Sequence, residues 1–140
     1  MRLLELGVPY YMLEATLIGI MAQRLVRTLC EDCKEAGGEI ADDIWKGLSG
    51  GWDIAKPQQV YRPVGCPECR QTGFRGRTGI YELLTTSESF NSLMEEETDI
   101  NALRKQAVAE GMKPLRVAGA FKVQEGVTTA EEVLKVTAMG

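Results

Sequence analysis

The stretch Tyr61-Arg-Pro-Val-Gly-Cys66-Pro-Glu-Cys69-Arg-Gln-Thr-Gly-Phe-Arg-Gly-Arg77-Thr-Gly-Ile-Tyr-Glu-Leu-Leu-Thr85 sets the reading of the whole chain. Its cysteine pair lies between two segments of strand composition: Val60 to Val64, confined to an edge by Pro63, and Thr78 to Thr85, the better of the two. Upstream, Cys30-Glu-Asp-Cys33 repeats the C-x-x-C spacing, with 32 residues between the pairs. Two residues between cysteines let both thiolates of a tight turn face one ion, and two such turns supply the four sulfurs that tetrahedral zinc accepts. The long separation adds little closure cost, because each doubling of a loop costs only about 0.6 kcal/mol. The intervening segment, with Gly37-Gly38, Gly47, Gly50-Gly51 and Pro57, reads as a loop-rich insertion carrying a short helix near Ala41 to Leu48. It has few apolar residues for a core of its own, so an ion tying its ends together would contribute folding energy directly.

The composition narrows the chemistry. The 140 residues include four cysteines and no histidine, which removes histidine acid/base catalysis, Ser-His-Asp and Cys-His nucleophiles and every mixed Cys/His zinc set. Cys30, Cys33, Cys66 and Cys69 therefore point first to structural zinc. Disulfides are disfavoured in a cytosolic chain, a dithiol redox motif needs only one pair, and a four-thiolate iron–sulfur cluster stays open. A catalytic zinc is not expected, since it would keep a position for water. The apolar stretch Tyr10 to Met21 is broken by Glu14 and is too short to span a membrane, and no signal-peptide pattern follows Met1 and Arg2. A cytosolic location follows as the default.

Three parts are expected along an α+β chain: a helical segment over residues 1–29, a tetracysteine subdomain with short strands over 30–85, and a C-terminal helical bundle over 86–140. Apolar residues at 13, 17, 20, 21 and 25 after Pro9 predict a helix from about 9 to 27, with Arg24 and Arg27 complementing its dipole. Ser87 and Asp99 are placed to cap two helices, the second ended by Gly111. Pro114 opens a third that runs to about Gln124 and stops at Gly126, and Thr129 with Glu132 fits a capping box for a last short helix.

Charge is distributed unevenly. Residues 1–79 are neutral, and the net charge of −4 resides in residues 80–140, so a general nucleic-acid footprint is not expected. Locally, however, Arg62, Arg70, Arg75 and Arg77 face only Glu68 across residues 61–79. The alternative reading is accordingly a nucleic-acid-binding zinc ribbon that uses these arginines with Tyr61 and Phe74 for stacking.

Taken together, Met-Ala-Gln-Arg-Leu-Val-Arg-Thr-Leu-Cys (21–30), Tyr-Arg-Pro-Val-Gly-Cys-Pro-Glu-Cys (61–69), Thr-Gly-Phe-Arg-Gly-Arg-Thr-Gly-Ile-Tyr-Glu-Leu-Leu (72–84) and Gly-Val-Thr-Thr-Ala-Glu-Glu-Val-Leu (126–134) resemble the C-terminal region of the secretion ATPases. These are the traffic ATPases of bacterial type II secretion and type IV pilus assembly. The resemblance implies a fragment of a RecA-like ATPase domain, in which Cys30, Cys33, Cys66 and Cys69 match zinc ligands and Arg77 matches an arginine near the nucleotide. Gln23 and Arg24 match a recurrent pair for which a packing or interface role is expected. It further implies a parent that binds ATP and Mg2+, forms a cytoplasmic hexamer at the inner-membrane face, and works with an inner-membrane platform protein and a recruiting protein to drive pilin or pseudopilin addition. No Walker A sequence is present here. The resemblance thus implies a chain that begins just after the family's histidine box, binds zinc and hydrolyses no ATP by itself.

Overall fold

A computed structural model describes residues 2–95 and 97–137. Twelve elements follow in order: α1 (Arg2–Glu5), α2 (Tyr10–Thr16), β1 (Gly19–Leu29), β2 (Glu35–Ala36), α3 (Asp42–Ser49), β3 (Tyr61–Arg62), a 3-10 turn (Pro67–Cys69), β4 (Phe74–Thr85), α4 (Glu88–Asn91), α5 (Ile100–Ala109), α6 (Leu115–Gln124) and α7 (Ala130–Thr137). The fold is α+β, as expected, and β1 pairs with β4 while β2 pairs with β3. The short pair is antiparallel, with Glu35 opposite Arg62 and Ala36 opposite Tyr61.

The expected helix over 9–27 is corrected. Only Tyr10–Thr16 is helical, and the chain leaves the helix at Leu17 in extended conformation before entering β1. Met21, Ala22, Gln23, Arg24 and Leu25 are good helix formers, yet backbone pairing with β4 overrides that weak preference. Gly19 marks the change, because a side chain there would come within 3.0 Å of the Leu84 carbonyl oxygen. Arg24 and Arg27 therefore lie on a strand and complement no helix dipole. β4 also starts earlier than expected, at Phe74.

The chain divides into two compact units: Glu82–Lys113 with the chain up to Ala22, and Gln23–Tyr81 with the chain from Pro114 on. The first has a core of Leu13, Leu84, Phe90, Met94, Leu103 and Ala107. Its helices start where the caps were expected: Ser87 Oγ accepts from the Phe90 N–H and Asp99 Oδ1 from the Asn101 N–H, both at 2.9 Å.

The second unit holds both cysteine pairs. The insertion is less bare than its composition implied, because α3 packs on α6 and α7. Ile40, Trp45, Leu48 and Ile54 join Val117, Ala120, Val123 and Val133 in one core. α6 and α7 touch closely at Gly119, where an added methyl would meet Val133 Cγ1 at 2.2 Å. The expected capping box on α7 is half present. Thr129 Oγ1 accepts from the Glu132 N–H at 3.3 Å, but the Glu132 carboxylate turns to Arg27 instead, at 2.6 Å.

Candidate metal centre

The cysteines meet because the strands do. Within the second unit the Gln23 side chain bonds the Tyr81 hydroxyl, and seven residues on, Cys30 N–H donates to the Gly73 carbonyl at 3.0 Å. β1 thus ends, and β4 begins, at the same place. The first turn follows β1 directly and closes with the Lys34 N–H donating to the Cys30 carbonyl at 2.9 Å. The second is the 3-10 turn, opened by Cys66 in extended conformation and closed by Arg70 and Gln71, both left-handed at φ 55° and 64°. Gly73, at φ +75°, packs so tightly that an added Cβ would lie 2.4 Å from Pro63 Cβ.

All four Sγ atoms lie within 4.8 Å of one another. Cys30 to Cys66 and Cys33 to Cys69 are each 3.8 Å apart, and Cys66 to Cys69 is 3.7 Å. A disulfide needs about 2.05 Å, and all four cysteines are free. Sulfurs at the corners of a tetrahedron about 2.3 Å from zinc stand roughly 3.8 Å apart, which matches these three separations. The thiol set therefore fits a tetrahedral thiophilic ion.

Backbone amides add a second match. Gly65 N–H donates to Cys33 Sγ at 3.3 Å, and Cys66 N–H and Gly73 N–H donate to Cys69 Sγ at 3.2 Å. The Cys69 amide returns a bond to Cys66 Sγ. Such donors favour the thiolate over the thiol. Burial opposes ionisation of Cys69, yet the amides of Cys66 and Gly73 outweigh it and bring that thiol down to about 6. Burial pushes Cys30 up to about 12, only partly offset by the Asp32 amide, and also raises Cys66. Four thiolates so close together are mutually unfavourable without a cation, and a bound metal supplies one. Among the described residues these cysteines are the one cluster of three or more metal-ligating side chains.

Two of the four arginines around the second turn are paired within the fold. Arg62 bonds Glu35 at 2.5 Å and Arg75 bonds Asp32 at 3.5 Å. The two aromatics suggested for base stacking already carry cations: Arg27 lies 4.0 Å over the Phe74 ring and Lys34 lies 4.9 Å over Tyr61. The nucleic-acid reading thereby loses much of its apparatus. Arg70 and Arg77, the latter on β4, are different, both standing exposed with no ion pair among the described residues. Gln23 bonds Tyr81, and the Arg24 guanidinium bonds the Gln23 carbonyl at 2.8 Å.

Sequence reasoning did not anticipate the part-buried link between Arg27 and Glu132. Arg27 gives Glu132 both a backbone N–H, at 3.2 Å, and its guanidinium, while Thr128 Oγ1 donates to the Arg27 carbonyl at 2.7 Å. The only sequence signal was a glutamate three residues after a threonine, which reads as capping.

The family model for "Type II/IV secretion system protein" matches residues 1–135. The chain belongs to that family. Across 135 residues, 96% of its length, it is 47% identical to a "Type IV pilus assembly ATPase TfpB" of Acinetobacter baylyi, covering 23% of that protein. It is 43% identical over 136 residues to the "Type II secretion system protein E" of Pseudomonas aeruginosa and 41% identical over 138 to the "Type II secretion system ATPase E" of Vibrio cholerae, covering 97% of this chain and 26% of each relative. This family member thus spans about a quarter of the length of the curated relatives it matches. No helix among its described residues is long and apolar enough to cross a membrane.

Proposed function

We propose that this chain is the zinc-binding C-terminal portion of an ATPase that powers type II secretion or type IV pilus assembly. The observation that carries the reading is the four-sulfur tetrahedron built at the shared end of β1 and β4, in a chain of this family. Cys30, Cys33, Cys66 and Cys69 would hold one Zn2+ as a closed structural site, with the backbone amides of Gly65, Cys66, Cys69 and Gly73 stabilising the thiolates. Zinc here supplies folding energy and no chemistry, because four protein sulfurs leave it no position for water.

The parent would bind ATP and Mg2+ through residues outside this sequence, act as a cytoplasmic hexamer at the inner-membrane face, and drive pilin or pseudopilin addition with a platform and a recruiting protein. Arg77 is assigned to the nucleotide neighbourhood of that assembly, where a guanidinium pairs with phosphate or stacks on the base. Its exposure and lack of an internal ion pair support this. The purified chain should contain one zinc per molecule by metal analysis and release no phosphate from ATP. Iron in place of zinc, or turnover above contaminant level, would overturn the reading. In the full-length hexamer, Arg77→Ala should cut ATP turnover at least tenfold while leaving the zinc content at one per chain.

A further inference from the structure

The second unit contains a groove that the metal centre does not use. It opens between the insertion, the start of β4 and the first turn of α7, with a volume of about 590 Å³, within the roughly 300–1,000 Å³ of ordinary binding pockets. Its lining is largely apolar, from Ile40, Ile44, Val60 and Phe74. Ile44 stays 38% exposed although its helix neighbours Trp45 and Leu48 are buried. A wall of this kind gains roughly 25 cal/mol for each Å² of apolar surface a visitor covers.

Its charges are unbalanced. Two arginines line the groove, but both are neutralised: Arg27 by Glu132 at 2.6 Å and Arg62 by Glu35 at 2.5 Å. Glu39 and Glu131, which also line it, are exposed and have no bonded partner among the described residues. The cation whose field reaches Glu39 is Lys56, and its ammonium is bonded to Asp42 at 2.6 Å. The groove therefore offers an apolar floor beside two uncompensated carboxylates. That repels phosphates, nucleic acid and acidic lipid surfaces. It does not make a cation site either, because the carboxylates do not gather into a metal-ligating cluster.

We propose that this groove docks a peptide segment of a partner protein that presents an apolar side chain next to a lysine or arginine. The apolar residue covers Ile44 and Val60, and the cation pairs with Glu39 or Glu131. Opposite charges facing each other across the groove select the partner and speed its arrival. The groove includes none of the four cysteines and not Arg77, so its failure would not touch the proposed secretion role.

A phage-displayed nonapeptide library panned on the zinc-loaded 140-residue chain tests this. Enriched peptides should share an apolar residue flanked by Lys or Arg, and a synthetic copy should bind by fluorescence anisotropy with an affinity that falls as salt rises. The double variant Glu39→Lys/Glu131→Lys should weaken it at least tenfold, and Ile44→Ser at least threefold, with zinc content and the tryptophan melting curve unchanged. If charge reversal impairs folding, Glu39→Gln/Glu131→Gln serves instead, with an expected loss of at least threefold. No enrichment, enrichment of acidic peptides, preferential binding of an oligonucleotide, or an affinity within twofold of the parent in the folded variants would overturn the proposal.

Discussion

At the residue scale, the Glu132 carboxylate shows how one side chain can be read correctly by position and wrongly by partner. The hydrogen bond from Arg27 holds its pKa below the ordinary carboxylate value, with burial opposing and the Arg27 backbone N–H assisting. A folded-state pKa lowered in this way gives stability that is present above the unfolded value of about 4.3 and is lost as pH falls through the lower folded value. Glu132→Gln should therefore be less stable than the parent at pH 7, by about 1 kcal/mol because the Arg27 side chain is half exposed and water screens the pair. The difference should shrink below pH 4, and urea titrations at pH 7 and pH 3.5 measure it; an equal difference at both would remove the ion pair from the account. Gly73 gives a second test. A side chain there collides with Pro63 at a left-handed φ of +75°, and the Gly73 amide would be displaced from Cys69 Sγ. Gly73→Ala should reduce zinc affinity about tenfold or more, as loss of outer-sphere support does, in competition with a chromophoric chelator. The gathering of the four cysteines was legible from spacing, because a C-x-x-C turn is a local device. The Arg27 to Glu132 pair spans 105 residues, and no local pattern encodes such a contact.

Among the elements, β1 carries the main lesson. Its residues repeat at helical spacing, and five consecutive ones favour helix, yet Val26 and Leu29 are buried while Met21 and Leu25 stay exposed. Such a segment is a strand only because β4 lies beside it, and pairing across some fifty residues leaves no mark in local propensity. The bounds of α6 and the start of α7 were read well, the Glu132 half of the capping box apart, since Pro114, Gly126 and Thr129 act on their own neighbours. What spacing did not reveal is why Gly119 sits inside α6. A helical glycine costs up to about 1 kcal/mol relative to alanine, so alanine would be favoured if propensity decided. The 2.2 Å approach of the fully buried Val133 side chain decides otherwise, and overpacking of this kind costs about 1–3 kcal/mol. Gly119→Ala should accordingly lower the stability of the second unit by about 1–2 kcal/mol, seen as an earlier denaturant midpoint of tryptophan fluorescence. A stabilised variant would mean that α6 and α7 do not pack as described.

On the scale of the whole molecule, the question is how far the metal's influence extends. The insertion has support besides the proposed zinc, because Trp45, Leu48 and Ile54 share a core with α6 and α7, and Lys34 of the first turn donates to the Gly126 carbonyl at 3.1 Å. Without an ion, four sulfurs within 4.8 Å of one another would repel or protonate, and the joined ends of β1 and β4 would lose the proposed clamp. Trp45 and Trp52 both belong to the second unit, whereas Phe90, Leu103 and Ala107 form the core of the first. Tryptophan fluorescence therefore reports on the unit that holds the four cysteines, and amide exchange over α5 reports on the other. A structural tetrathiolate zinc contributes several kcal/mol to folding, which for a domain of this size shifts the midpoint by about 10 °C or more. Chelation should lower the tryptophan melting midpoint by at least that much and raise amide exchange first at Cys30–Lys34 and Gly65–Gly73, with α5 protected longest. Restoring zinc should reverse both changes, and Cys66→Ser should mimic chelation without responding to added metal. A tryptophan transition indifferent to the chelator would show that the apolar core alone holds this unit together and would remove zinc from its folding.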